Sequence, residues 1–333
     1  MKLGIVGATG LVGQRFLKLL ARLPASFEEL RLFSRSQTSL FFNKKALHTQ
    51  PLSSEGFKGL DICFFSAGAD VSRKWAEEAV KRKAIVIDNS SAFREDPAIP
   101  LVVPEINSHL LQYKPQIIAN PNCTTIQLVT ALAPLQKSFQ LKSVRVASLQ
   151  SISGAGKKAL DNLKEESRAI LEGRENYEKD DLSAAFNCVP YIGAINDEGF
   201  CEEEEKIMTE SKKILELPDL KISAFTLRVP TLNSHGLVVW LTFHNPPTSL
   251  KDLKEALSKA PLIKIQEEGK PPPHGRQTSG RDSVFVGRIR KDPVEENGWI
   301  LWIVADNLLK GASLNGLQIA EKLITLKREG VHG

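Results

Sequence analysis

The chain has 333 residues, 42% of them hydrophobic and 25% charged, with a formal net charge of +5. This is the composition of a globular protein, in a chain long enough for two domains. No apolar run approaches the ~18 residues that cross a bilayer. The first residues enter a strand with no signal-peptide pattern, so no membrane partner and a cytoplasmic location are expected. The basic excess is mild and spread along the chain. It favours small anionic ligands over nucleic acid, which needs a basic stripe. The four cysteines are irregularly spaced. They form neither a disulfide framework nor a zinc pattern, which fits a reducing compartment and no metal.

Residues 3–6 read as a strand. Gly7-Ala8-Thr9-Gly10-Leu11-Val12-Gly13 follows, then a helix with Phe16, Leu17, Leu19 and Leu20 on one side. A strand, a glycine turn and an amphipathic helix make a unit that binds a pyrophosphate. Gly7 allows the tight turn, Gly10 lets backbone approach the phosphates, and Gly13 lets helix pack on strand. The next strand, 29–33, runs into Ser34-Arg35-Ser36. An NAD site usually has an Asp or Glu there for the ribose hydroxyl. Arg35 suits a 2′-phosphate instead, with Ser34 as a supporting donor, so NADP is expected over NAD. A buried parallel strand at 61–65 carries Cys63 and ends in Ser66-Ala67-Gly68, small residues that let a cofactor approach. A helix is predicted from about 71 to 81. The strand at 84–87 ends in a polar cluster from Asp88 to Arg94. Open α/β sheets bind ligands at such carboxyl ends, and Arg94 is a candidate anion clamp.

Ile117-Ile118-Ala119-Asn120-Pro121-Asn122-Cys123-Thr124-Thr125 reads as a short strand, a polar turn and the start of a helix whose apolar face begins at Ile126. Asn122 or Thr124 can cap that helix. Cys123 then sits at the positive end of a helix dipole, a setting that lowers a thiol pKa and makes a nucleophile. A cysteine that merely fills core space is the alternative.

Beyond the Cys123 helix, residues 141–150 begin with the alternation of a half-buried strand. They run into Ser151-Ile152-Ser153-Gly154-Ala155-Gly156 and a charged helix to about 171. The run Glu202-Glu203-Glu204-Glu205 is expected to start a solvated helix, on which Glu210 and Lys213 share a face. A strand at 221–229 stops at Pro230, and His235-Gly236 opens another through 243. Arg228 and His235 therefore flank a turn between two antiparallel strands, and a His beside a reactive Cys is the expected base. His244 and His274 are weaker candidates. Strands at 284–286 and 299–304 follow, then a last helix from 311 to about 327 that is expected to dock on the first domain.

Taken together, these motifs resemble the aspartate-β-semialdehyde dehydrogenases over nearly the whole length. Val103-Pro104-Glu105-Ile106-Asn107, Gln150 and Ala305-Asp306-Asn307-Leu308-Leu309-Lys310-Gly311 add to the match. The resemblance implies an α/β Rossmann-like, mostly parallel sheet domain plus an α+β catalytic and dimerisation domain. The first would span 1–125 with the C-terminal segment 308–333, and the second 126–307. It implies reduction of L-β-aspartyl phosphate with NADPH, a homodimer or homotetramer, and a place in lysine, threonine, methionine and diaminopimelate synthesis. Cys123 would be the nucleophile, His235 the acid/base, and Gln150 would orient the acyl-enzyme. Arg228 and Glu210 would hold the substrate's carboxylate and ammonium; Arg94, Asn122 and Lys213 would hold phosphate. Cofactor contacts would come from Gly7, Thr9, Gly10, Leu11, Val12, Gly13, Ser34, Arg35, Ser66, Ala67, Gly68, Ser153, Gly154 and Asn307. Three departures stand out. Ser151 replaces the commoner Ala, Gly236 follows the His where Ser is usual, and Ser34-Arg35-Ser36 is a looser phosphate turn. A related acyl-phosphate or acyl-CoA reductase, acting on N-acetyl-γ-glutamyl phosphate or malonyl-CoA, would use the same cysteine chemistry. A non-catalytic NADP-binding paralogue should have lost Cys123 or His235.

Overall fold

The computed structural model of the chain describes residues 1–22, 27–174 and 183–330. They form two compact units, Met1–Asn122 with Ala312–Gly333, and Cys123–Gly311. No helix among the described residues is long and apolar enough to cross a membrane.

In the first unit the chain runs through β1 (Lys2–Val6), α1 (Leu11–Leu20), β2 (Glu29–Phe33), β3 (Ser39–Phe42), β4 (Lys45–Gln50), β5 (Ile62–Phe65), α2 (Ala69–Lys81), β6 (Ile85–Asp88), the short α3 (Pro104–Asn107) and β7 (Ile117–Ala119). Its sheet has the order β3-β4-β2-β1-β5-β6-β7. Every pairing is parallel except the β3–β4 hairpin at the edge. The central strands read as continuous apolar runs because both faces are covered; all four residues of β5 are buried. α1 buries the face predicted for it, Phe16, Leu17, Leu19 and Leu20. The hairpin has no counterpart in the sequence reading. Its turn residues Asn43 and Lys44 both take positive φ, 48° and 64°. That is a type I′ turn without the Asn-Gly pair that usually signals one.

In the second unit come α4 (Cys123–Phe139), β8 (Leu141–Ser151), α5 (Lys157–Leu171), α6 (Glu202–Leu215), β9 (Lys221–Val229), β10 (His235–Phe243), α7 (Leu250–Ser258), β11 (Ile263–Ile265), α8 (Gly275–Thr278), β12 (Val284–Lys291) and β13 (Trp299–Ala305). The six strands order as β11-β12-β13-β10-β8-β9. β9 and β10 do run antiparallel to each other, but they are not neighbours. β8 lies between them, parallel to β9 and antiparallel to β10. One face of this sheet packs under α4, α6 and α7 around Leu128, Leu132, Val146, Ile207, Val239 and Leu253. The other face carries a row that crosses the strands: Phe225, Ala147, Val238 and Trp302. Phe225 is 54% exposed.

The chain then returns to the first unit as α9 (Leu314–Arg328). Asn315 is buried there and donates to Asn120 Oδ1 at 2.7 Å and to the Val102 carbonyl at 2.9 Å. The C-terminal helix is thus pinned beside the carboxyl end of β7.

Candidate active site

In the first unit the glycine turn lies at the carboxyl ends of β2, β1 and β5. The N–H groups of Gly7 and Ala8 donate to the Phe33 carbonyl, next to Ser34, at 3.0 and 3.2 Å. Ser66 Oγ donates to the Val6 carbonyl at 3.2 Å. Gly7 has φ +80°, and a Cβ on Gly13 would fall 2.2 Å from the Gly7 carbonyl oxygen, so both positions need glycine. Gly10 opens α1 in extended geometry, with no side-chain cap and no acidic residue in the first turn. Thr9, Leu11 and Val12 complete this turn. The helix end is open to an anion, and a Cβ on Gly68 would meet nothing within 4 Å. These residues fit a dinucleotide pyrophosphate. Arg35 is exposed after β2. At the end of β6, buried Asp88 accepts from Ser72 and Ser90 at 2.6 and 2.7 Å; burial raises its pKa, against those hydrogen bonds. Arg94 Nη2 donates to the Asn89 carbonyl at 2.9 Å. Asn122, also buried, is the last residue of this segment.

In the second unit the chemistry gathers at one sheet edge. β8, β9 and β13 end there, β10 begins there, and α4 begins with Cys123. Cys123 Sγ lies 3.2 Å from His235 Nε2. The imidazole is fully buried, and its Nδ1 stands 3.0 Å from the Ser151 N–H. Burial, and then the Arg228 charge, lower the His235 pKa from 6.5 to about 3. Arg228, opposite Gln150 across the β8–β9 register, donates to the Ser151 carbonyl at 3.1 Å. Burial lowers the Arg228 pKa, opposed by the Glu203 and Cys123 charges. A Cβ on Gly154 would come within 2.9 Å of Arg228 Nη1 and 3.3 Å of His235 Nε2. Gly154 is therefore packed against the Arg–His pair, and Ser153 and Asn307 join the same network behind the imidazole. Cys63, by contrast, is a core residue whose pKa burial pushes up.

The glutamate run does not start a solvated helix. Glu203 and Glu204 are buried, while Glu202 and Glu205 face solvent. Glu204 takes N–H groups of Cys201 and Thr226 at 3.0 and 2.8 Å, which ties α6 to β9. Glu203 accepts from the Gln150 amide at 3.0 Å. The signal was present in the sequence: residues 203, 207, 210 and 214 fall on one helical face, and two of them, Ile207 and Ile214, are apolar. Glu210 is buried on that face and Lys213 is partly buried one turn on. His244 and His274 are exposed. Gly236 also gains a reason: a Cβ there would lie 2.1 Å from the Trp302 ring, whose Nε1 donates to the Pro273 carbonyl at 2.7 Å. Serine does not fit under that indole.

Two family models match the chain, the semialdehyde dehydrogenase NAD binding domain over residues 2–113 and the semialdehyde dehydrogenase dimerisation domain over 132–310. The aspartate-semialdehyde dehydrogenase of Bacillus subtilis is 42% identical over 336 residues, covering 97% of each chain. The chain belongs to the aspartate-semialdehyde dehydrogenase family. It therefore carries the fold of an oxidoreductase that acts on an aldehyde. Among solved structures of that family, aspartate semialdehyde dehydrogenase II from Vibrio cholerae, complexed with ASA, superposes with a TM-score of 0.92. It is 36% identical, covering 97% of this chain and 98% of that one. The Candida albicans enzyme, solved with NADP, gives a TM-score of 0.75 at 26% identity, covering 99% of both.

The depressed His235 pKa has a consequence for stability. In the unfolded chain this imidazole titrates near 6.5, and in the native state near 3. Between those values the unfolded state binds a proton that the native state refuses, so stability falls as pH drops below 6.5. The slope from this group approaches ~1.4 kcal/mol per pH unit. Urea midpoints from about pH 7 to pH 5 should fall in the native protein and fall less in His235→Asn, whose side chain does not titrate.

Proposed function

We propose that this chain reduces L-β-aspartyl phosphate to L-aspartate β-semialdehyde and phosphate with NADPH, in the synthesis of lysine, threonine, methionine and diaminopimelate. The observation that carries the reading is the Cys123 Sγ–His235 Nε2 contact of 3.2 Å at the start of α4. The Cys123 thiolate attacks the acyl carbon, phosphate leaves, and a thioester remains on the sulfur. NADPH, when bound, supplies the hydride that takes the thioester to the aldehyde level. His235, 3.2 Å from that sulfur, serves the proton on the same carbon's oxygen, and the C–S bond then breaks to release the aldehyde and return the thiolate. Gln150, anchored by Glu203 through a 3.0 Å hydrogen bond, orients the acyl group. Arg228 grips the α-carboxylate with two donors of its planar fork, which Lys cannot copy. Glu210 offers a negative charge to the ammonium. Arg94, Asn122 and Lys213 are the proposed phosphate contacts, whose charges and amide suit the leaving dianion.

NADP rather than NAD is supported by Arg35, exposed at the end of β2 where an acidic residue would otherwise take the ribose hydroxyl, with Ser34 beside it. The Candida albicans relative bound NADP. Gly7, Thr9, Gly10, Leu11, Val12, Gly13, Ser66, Ala67 and Gly68 would cradle the dinucleotide, with Ser153, Gly154 and Asn307 as further contacts. Free thiols at Cys63, Cys123, Cys188 and Cys201 suit a cytoplasmic setting. Assembly as a homodimer, with a tetramer as the larger option, is supported by the apolar row Phe225, Ala147, Val238 and Trp302 on the face of the second sheet opposite α4, α6 and α7, where Phe225 is exposed.

Three measurements bear on these readings. Aspartate semialdehyde should reduce NADP only when phosphate is supplied, and Cys123→Ala should lower that rate by roughly 1000-fold or more while NADP binding persists. A faster rate with N-acetylated or CoA substrates would move the enzyme to a sister activity. Arg35→Glu should narrow or reverse the NADP preference by about tenfold or more; an unchanged kcat/KM ratio would place the 2′-phosphate elsewhere. Phe225→Asp should shift the sedimenting species toward monomer, and a sedimentation profile like the native one would clear that face of the role.

A further inference from the structure

The turn that carries Arg35 is organised from the hairpin behind it. Residues 34–38 contain neither glycine nor proline, so no residue of the turn presets its conformation. Its polar groups converge instead on Thr49, which lies in β4 opposite Leu32 of β2. Of the residues of β4, Thr49 alone is buried, and it is polar. Its backbone N–H donates to the Thr38 carbonyl at 2.9 Å, as a hairpin ladder requires. The return bond falls on a side chain: the Thr38 N–H donates to the Thr49 hydroxyl at 3.0 Å. That hydroxyl donates to the Ser36 carbonyl at 3.0 Å, with the Thr38 carbonyl 3.3 Å away. Ser34 Oγ stands 2.5 Å from the Ser36 carbonyl and 2.9 Å from Thr49 Oγ1. A serine has one hydroxyl proton, and both of these acceptors hold the turn from inside. Ser34 therefore ties the turn together, while Arg35 and Ser36 face solvent. The Ser34 N–H, finally, donates to the Gln50 carbonyl at 3.1 Å, which fixes where the turn leaves β2.

We infer that Thr49 is a positioning residue for cofactor choice, whose buried hydroxyl holds the 34–38 turn in the shape that presents Arg35 to the 2′-phosphate of NADP. The inference rests on the proposed preference for NADP and deepens it. A slack turn bearing an arginine has to be ordered when the phosphate arrives, and that ordering subtracts from affinity. Thr49 orders the turn beforehand, because Ser34, Ser36 and Thr38 all meet its one hydroxyl. At 1% exposure that hydroxyl meets little competition from water. Its β-branched side chain is stiff at χ1, which keeps the oxygen aimed at the turn. NAD carries no 2′-phosphate for Arg35 to contact, so its affinity does not depend on the shape of the turn. The same strand end also serves the pyrophosphate, since the Phe33 carbonyl takes the Gly7 and Ala8 N–H groups. The β3–β4 hairpin at the sheet edge thereby gains a use in the site: it delivers Thr49.

The test is equilibrium binding of NADPH and of NADH to the full chain, read by nicotinamide fluorescence without substrate or turnover. Thr49→Val puts a methyl where the hydroxyl was and keeps the shape of the side chain. It should weaken NADPH binding by about tenfold and leave NADH within about twofold of native. Thr49→Ser should keep most of the native ratio. Thr49→Ala gives the same reading with a smaller side chain, in case valine disturbs the fold. In an Arg35→Ala background, Thr49→Val should cost NADPH nothing further, because the hydroxyl acts through the arginine. Equal losses for the two cofactors would mark a merely structural threonine and overturn the inference. A native preference for NADPH that survives in Thr49→Val and Thr49→Ala would overturn the part of Thr49 alone. A native chain that binds both cofactors alike would overturn the NADP reading, and this inference with it.

Discussion

One contact organises the second unit: the sulfur of Cys123 beside Nε2 of His235, two residues 112 positions apart in the chain. Bringing them to 3.2 Å requires a helix to begin at 123 and a strand to begin at 235, at the same edge of one sheet. That edge exists because β8 enters between β9 and β10. It puts Gln150 opposite Arg228 on one side and Leu149 opposite Gly236 on the other. The side chains that converge there come from α4, β8, β9, β10 and the segment after β13. None could be moved without shifting the register of its strand, since a slip of one residue turns every side chain to the opposite face.

Burial is what makes this contact chemically useful. A solvated imidazole titrates close to neutrality, whereas here the closed surroundings and the Arg228 charge keep it uncharged well into acid. The cost is a set of buried polar groups that must all find partners. They do so locally: Ser151 serves Nδ1, Asn307 serves Ser153 and the Ser234 amide, and Glu203 serves the Gln150 amide. Buried carboxylates in a helix that reads as solvated are part of the same economy. Glu204 ties the start of α6 to β9, and Glu203 holds the residue opposite Arg228.

The two departures from the family pattern in this region acquire physical content. Gly236 lies beneath the Trp302 indole, where a Cβ would collide at 2.1 Å. The missing side chain and the large one across the β10–β13 pair are a single packing unit. Ser151 adds a hydroxyl next to an imidazole nitrogen that its own backbone already addresses. In both cases a residue read singly looks like drift, and read with its neighbour it is a fitted part.

Local chemistry was legible in the sequence. The parallel sheet followed from continuous apolar strands alternating with amphipathic helices, the phosphate turn from glycines between a strand and a helix, and the helix start at Cys123 from a Pro-Asn break before an apolar period. These depend on residues a few positions apart, whose spacing is fixed by helix and strand geometry. What the sequence left open depended on partners far along the chain. The β3–β4 hairpin turns on two residues in left-handed conformation without the usual glycine. The insertion of β8 between β9 and β10, and the burial of Glu203 and Glu204, are set by which strands pair and which helix face meets them. So is the setting of His235, since only the fold brings the Ser151 amide to its second nitrogen.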